Sequence, residues 1–317
     1  MPLIDVFNGD ADGICALHQL RLDAPADSRL VTGPKRDISL LKRVEAQSGD
    51  RVTVLDIALS KNRDALDRLL EAGAQVRYFD HHQPGDIPVH PNFEPHIDTD
   101  ANVCTSLLVN RHLQGRHLAW AVVAAFGDNL ADAARQAAVP LSLSADQLAQ
   151  LQLLGECLNY NGYGETLDDL FFDPADLYRQ LRPFADPFAF IAESPAYPTL
   201  KTGYREDMAR AVAVEPMEAR ASGRIFMLPA EKWARRISGV FGNWLAVESP
   251  AQAHAVLTAK PEGGYLVSVR APLVARSGAD ELCSQFDGGG RRGAAGINHL
   301  PESELGRFIA LFFKTFE

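Results

Sequence analysis

The sequence is poor in cysteine and shows no pattern in the little it has. Cys15, Cys104, Cys157 and Cys283 are scattered without a Cys-x-x-Cys pair, which excludes a zinc ribbon and a small disulfide-stapled scaffold. A reducing, cytoplasmic setting is expected. Long apolar runs are missing too: no stretch of about 18 uncharged apolar residues offers a membrane span. Met1-Pro2-Leu3-Ile4-Asp5 lacks the basic start and apolar core of a signal peptide, so no membrane partner is expected. Basic residues are in deficit, 31 Lys and Arg against 41 Asp and Glu, for a net charge of −10. Proteins that grip long nucleic acid neutralise its phosphates with Lys and Arg, so a long-duplex partner is not expected. A short phosphate-bearing ligand needs only a local cluster of arginines and stays compatible. There is no repeat at solenoid periods and no low-complexity tract. The sequence leaves oligomeric state open, a homodimer included.

What is present points to two domains. A chain of 317 residues, 46% hydrophobic, can build two cores. Leu3 to Phe7, Leu30 to Thr32, Arg51 to Leu55 and Gln75 to Phe79 are short apolar runs separated by helical periodicity, the alternation of an α/β parallel sheet flanked by helices. From Asn102 to about Tyr160 the pattern is mostly helical, and residues 161–203, irregular and interrupted by Pro174, Pro183, Pro187, Pro195 and Pro198, read as the closing helices and linker of the first domain. We therefore expect an N-terminal domain over 1–200, a linker helix over 201–223 and a smaller α/β domain over 224–317. In that last region Ile225 to Leu228 reads as a strand, Glu231 to Leu245 as a helix, and His254 to Thr258 with Tyr265 to Ala271 as a hairpin across Glu262-Gly263-Gly264. A helix from about Asp280 precedes the glycine cluster 288–296, and Glu302 to Phe316 reads as an amphipathic closing helix.

Parallel sheets bind ligands at the carboxyl ends of their strands, and three of these strands run into acids. Asn8-Gly9-Asp10-Ala11-Asp12-Gly13 follows the first; its two carboxylates at i, i+2 suit a hard cation, and equally an Asx turn or helix N-cap. Asp56 follows the third strand, where a cap or turn residue is the plain alternative. Asp80-His81-His82 follows the fourth: imidazole is a good Mn²⁺ ligand, and a neighbouring His can protonate a leaving group, although a polar turn would read alike. Asp128 ends the apolar helix Leu118 to Phe126, where an acid meets the negative end of the helix dipole and calls for an external reason. Together these donors could serve two cations about 3.5–4 Å apart, the separation of two-metal phosphoryl chemistry. Ser106 and Asn102 read as ordinary caps, and His90, His96, His112, His117, His254 and His299 as surface or packing residues.

Gly9-Asp10-Ala11-Asp12-Gly13, Asp56, Asp80-His81-His82 and Asp128, in that order and spacing, resemble the DHH phosphoesterases. Val267-Ser268-Val269-Arg270 and Gly288-Gly289-Gly290-Arg291-Arg292-Gly293-Ala294-Ala295-Gly296 are similar to the DHH-associated C-terminal domain. The resemblance, which extends to nano-RNase, cyclic-dinucleotide phosphodiesterase and RecJ-related members, implies a cleft between two domains and two Mn²⁺ or Mg²⁺ ions. It makes Asp10, Asp12, Asp56, His81 and Asp128 metal ligands, with Asp56 as bridge, and places His82 on the scissile phosphate beside Asp80. Ser268, Arg270, Gly288, Gly289, Gly290, Arg291 and Arg292 would anchor the substrate's terminal phosphate. Two departures stand out. Val6 occupies the position of a usual metal-binding His, leaving Asn8 to fill the gap, and Arg291 replaces the His of the Gly-Gly-Gly-His signature. The expected activity is metal-dependent hydrolysis of phosphodiester or phosphomonoester bonds in short oligonucleotides or small nucleotides. The alternative is a catalytically degenerate nucleotide sensor of the same fold.

Overall fold

The structure is a computed structural model that describes residues 2–317. The chain divides into two compact units, Met1–Thr202 and Gly203–Glu317.

In the first unit, β1 (Leu3–Phe7), β2 (Arg29–Val31), β3 (Arg51–Leu55), β4 (Gln75–Asp80) and β5 (Phe93–Ile97) form one sheet in the order β2-β1-β3-β4-β5, parallel throughout. Val6 lies beside Val54 and Val54 beside Tyr78, so one face of the central strands is apolar, while the other alternates Asp5, Thr53 and Arg77 with Phe7, Leu55 and Phe79. One face packs on α2 (Leu59–Glu71) through Leu66, Leu69 and Leu70. Helix α1 (Ala11–Asp23) is buried on every side from Ala11 to Leu20, and its polar Asp12, His18 and Gln19 are accommodated there by hydrogen bonds to the backbone of Thr105, Phe184 and Ser106. It packs against α3 (Thr105–His112), α4 (Leu118–Gly127) and α6 (Ala145–Gly162), with α5 (Ala131–Ala138) beside α4.

Two expectations for this unit need correction. Strand β5 has no counterpart in the sequence reading because Pro95 interrupts its apolar pattern; as an edge strand it tolerates the missing N–H. The segment 161–203 holds the closing helices expected of it and is less irregular than its prolines suggest, because Pro174 and Pro187 start helices instead of breaking them: α7 (Pro174–Leu181) and α8 (Pro187–Glu193) each carry Pro at the first position behind an aspartate cap, and α9 (Ala196–Val212) follows.

The second unit holds β6 (Glu218–Arg220), β7 (Gly223–Leu228), α10 (Lys232–Glu248), β8 (Ala253–Ala259), β9 (Tyr265–Arg270), α11 (Ala279–Ser284), β10 (Gly289–Arg291), β11 (Ala294–Leu300) and α12 (Leu305–Phe316). Its sheet runs β10-β11-β9-β8-β7-β6, parallel only between β7 and β8. Ile225, Leu257 and Val267 face Phe308, Phe312 and Phe313 of α12, while Phe226 packs edge-on against Phe241 of α10. Each buried phenylalanine contributes about 2 kcal/mol. The helix expected over 201–223 ends at Val212, because Pro216 intervenes and Glu218–Arg220 pairs antiparallel with β7. All four cysteines are buried and none forms a disulfide among the described residues, and among those residues no helix is long and apolar enough to cross a membrane.

Candidate metal centre

Because the first sheet is wholly parallel, the segments leaving β1, β2, β3 and β4 meet at one edge. Asp10 caps α1 there, its Oδ1 accepting from the N–H groups of Asp12 and Gly13 at 3.0 and 3.1 Å. The cap reading of this motif therefore holds for Asp10. Gly9 is required by close approach: a Cβ on it would lie 2.1 Å from the Gly33 carbonyl oxygen. Asp12, in the first turn, is fully buried, and its two oxygens accept from the Thr105 and Ser106 N–H groups, both at 2.7 Å. The positive end of α3 thus faces this carboxylate.

Asp56 sits in the left-handed region at φ 58°, fixed there by its N–H donating to the Phe79 carbonyl. An acid in that conformation stores strain of about 1 kcal/mol, and such residues gather at functional sites. Its Oδ1 accepts from the Thr105 hydroxyl at 3.2 Å and lies 3.4 Å from His81 Nε2. The His81 Nδ1–H donates to the Val103 carbonyl at 2.8 Å, which aims Nε2 at Asp56 and, 3.9 Å away, at Asp128 Oδ2. His82 is turned by Asp80, whose Oδ1 accepts from Nδ1 at 2.7 Å; the other Asp80 oxygen is buried without a partner, as is Oδ2 of Asp128.

Among the described residues two overlapping groups offer ligand atoms within 4.8 Å of one another: Asp12, His81 and Asp128, and Asp56, His81 and His82. The electrostatics calls for a cation. Burial, then the charges of Asp10 and Asp12, push the Asp56 carboxyl well above the usual range. Burial raises Asp12 as well, with Asp128 and Asp10 adding to it against the pull of His81. Burial opposes a charged His81 ring, but the hydrogen bond to Asp56 and the charges of Asp128, Asp56 and Asp12 outweigh it and lift it to about 10. A proton is doing there what a divalent ion would do, and oxygen donors with one imidazole fit Mn²⁺ or Mg²⁺.

Asp10 and Asn8 belong to neither group. Asp10 Oδ2 is paired with Lys35, which follows β2, at 2.5 Å. Burial would raise the Asp10 carboxyl, but Lys35 holds it below its ordinary value. Asn8 donates to the Lys35 carbonyl at 3.4 Å and leaves its own Oδ1 buried without a hydrogen bond. Val6 is a core residue of β1. Lys35, Thr105 and the α3 amides were missed in the sequence. The strand-end rule could have drawn attention to Lys35, since Gly33-Pro34-Lys35 leaves β2 at the same edge.

In the second unit the expected phosphate anchors are arranged differently. Arg270 donates to Asn243 Oδ1 at 2.7 Å, Ser268 Oγ at 2.9 Å, and the Val269 and Gly239 carbonyls. Gly289, Gly290 and Arg291 form β10, which pairs with β11 in an exposed hairpin, with Arg292 exposed in its turn. Gly288 is held by its N–H to the Cys283 carbonyl.

No family model matches the chain, and no curated protein does. Solved structures do. A manganese-bound RecJ exonuclease is similar over 99% of this chain and 90% of its own, at 16% identity and TM-score 0.65. The chain carries the fold of that exonuclease. The pGpG-specific phosphodiesterase PggH of Vibrio cholerae matches over 99% of both chains, at 14% identity and TM-score 0.56. An exopolyphosphatase-related protein of Bacteroides fragilis matches over 99% of this chain and 91% of its own, at 15% identity and TM-score 0.52. At these identities the likeness is one of fold alone.

Proposed function

We propose that this DHH-fold protein is a divalent-cation-dependent phosphoesterase that hydrolyses phosphodiester or phosphomonoester bonds in short oligonucleotides or small nucleotides. The observation that carries this reading is the convergence of Asp12, Asp56 and Asp128 on His81 Nε2, with His82 alongside, oriented by Asp80. Asp12, Asp56, His81 and Asp128 would hold the metal. When bound, Mn²⁺ or Mg²⁺ would polarise the phosphoryl oxygens and lower the pKa of water. The protein's own residues do the rest. The α3 amides fix Asp12, the Val103 carbonyl fixes the His81 tautomer, and Asp80 keeps a proton on His82 Nδ1. Burial opposes a charged His82, but its hydrogen bond to Asp80 raises its pKa overall, so the ring can carry a second proton at Nε2 for the leaving oxygen. Arg291 and Arg292 would meet the substrate's terminal phosphate. The likeness to a pGpG-specific phosphodiesterase supports a short nucleotide substrate over a long duplex, in keeping with the net charge of −10.

The test is hydrolysis of pGpG, pApA, short RNA, a cyclic dinucleotide, pAp and pyrophosphate with and without Mn²⁺. Mn²⁺-dependent release of mononucleotide or phosphate, abolished in His81→Ala, is expected. Tight nucleotide binding with no turnover under any metal would replace the enzyme by a sensor.

A further inference from the structure

We propose that the Lys35 ammonium fills the second cation position at this edge, so that the chain binds one divalent ion where the sequence motif suggests two. The inference rests on the phosphoesterase reading and specifies its cation requirement. Both donor groups contain His81, and with Nδ1 committed to the Val103 carbonyl the ring has one nitrogen left to offer. An imidazole nitrogen has a single lone pair and cannot bridge, so the two groups describe one binding position. On the other side of Asp128 a cation is already in place. Lys35 Nζ lies 2.5 Å from Asp10 Oδ2, 3.3 Å from Asn159 Oδ1 and 3.6 Å from Asp128 Oδ1. These are hard oxygen donors of the kind a divalent ion takes.

The lysine is held from several directions. Its N–H donates to the Gly162 carbonyl at 2.8 Å, its own carbonyl accepts from Asn8, and Nζ lies 5.5 Å from the centroid of the Tyr163 ring. Its side chain retains only 26% of its exposure. A divalent ion at Asp10 would have to expel this ammonium and then sit beside it; at about 4 Å even well-screened like charges repel noticeably. Asp128, with Oδ1 toward Lys35 and Oδ2 toward His81, becomes the carboxylate shared between the two positive charges, the role the sequence reading gave to Asp56. An ammonium neutralises charge but activates no water, so the two positions divide the work.

The test is a titration of the full-length, substrate-free protein with Mn²⁺ alone, followed by electron paramagnetic resonance. One Mn²⁺ per chain with the hyperfine sextet of an isolated ion is expected. Two Mn²⁺ with the half-spaced lines of an exchange-coupled pair would overturn the proposal and leave the phosphoesterase reading standing, whereas no Mn²⁺ binding would overturn both. Lys35→Met should take up a second Mn²⁺ and show the coupled signal, while Lys35→Arg should stay at one. Uptake by Lys35→Met unchanged from wild type would also overturn it, and should that variant not fold, the wild-type and Lys35→Arg titrations decide.

Discussion

The strand-end edge of the first unit and the glycine hairpin of the second were assigned complementary tasks, yet the protein builds them in opposite ways. At the edge, Asp12, Asp56 and His81 are taken out of water and crowded beside Asp10, and of these acids only Asp10 already meets a lysine, so the arrangement costs stability until a further cation arrives. In the hairpin, Arg291 and Arg292 stay exposed, and Arg270 has its donors directed to protein acceptors. A site whose assembly is costly declares itself in the folded chain, because nothing but its ligand justifies the arrangement. A site made of exposed arginines costs little and declares nothing.

The sharpest way to break this comparison is Asp56→Asn. Asparagine tolerates the left-handed backbone and can still accept from Thr105, so the change removes mainly charge. Metal-supported turnover should fall about 1000-fold, the scale of losing a principal electrostatic element at a reacting phosphoryl group. The melting temperature of the metal-free protein should rise, because the raised Asp56 carboxyl makes its ionised form a burden that grows with pH. Lower stability of Asp56→Asn in calorimetry without metal would show that the acids are not in conflict.

A second test separates the burden of the acids from burial as such. His18 is buried in the same unit, its Nε2–H donating to the Phe184 carbonyl at 2.8 Å and its Nδ1 without a partner, and burial lowers its pKa to about 4. Its folded pKa lies below the ordinary 6.5, so as pH falls from about 6.5 toward 4 the unfolded chain takes up a proton that the folded chain refuses. Stability is lost in that window, by about 3 kcal/mol in full. In His18→Gln the denaturant midpoint should fall less steeply between pH 7 and pH 4 than in wild type. Equal slopes would remove His18 as the cause.

Within the edge itself the two histidines should part company. His82→Ala should lower kcat about 100-fold, the usual worth of a general acid, and leave Mn²⁺ affinity intact, whereas His81→Ala should lose Mn²⁺. Calorimetric titration with Mn²⁺ reads the difference, and equal loss of affinity in both would assign His82 to the metal.

The same contrast explains what could be read in the sequence. Asp10, Asp12, Asp56, Asp80, His81 and His82 could be expected together because a parallel sheet gathers its strand ends, so motifs far apart in sequence meet at one edge, whereas Asp128 stood out only by its place at the negative end of α4. Lys35 was not, because a lone lysine after Gly33-Pro34 and a three-residue strand carries no motif; only the fold of α6 brings Asn159 and Gly162 to it. Thr105 and Ser106 act through backbone amides, which any residue supplies. Strand β5 and the bounds of helices α7 and α8 were hidden by prolines whose meaning depends on position: Pro95 sits on an edge, Pro174 and Pro187 at first turns.

The smallest effect is expected in the hairpin, and it is the one that decides whether the second unit takes part at all. Arg291→Ala and Arg292→Ala remove exposed charges, so the melting temperature should stay within about 1 °C. If each guanidinium meets the substrate's terminal phosphate in ground state and transition state alike, KM should rise about tenfold with kcat unchanged. Arg270→Ala should behave in the reverse sense, because it strands four protein acceptors: loss of stability of about 1–3 kcal/mol would dominate. A raised KM in Arg270→Ala at unchanged stability would show that its internal hydrogen bonds yield to substrate, and the hairpin would then share the phosphate with β9.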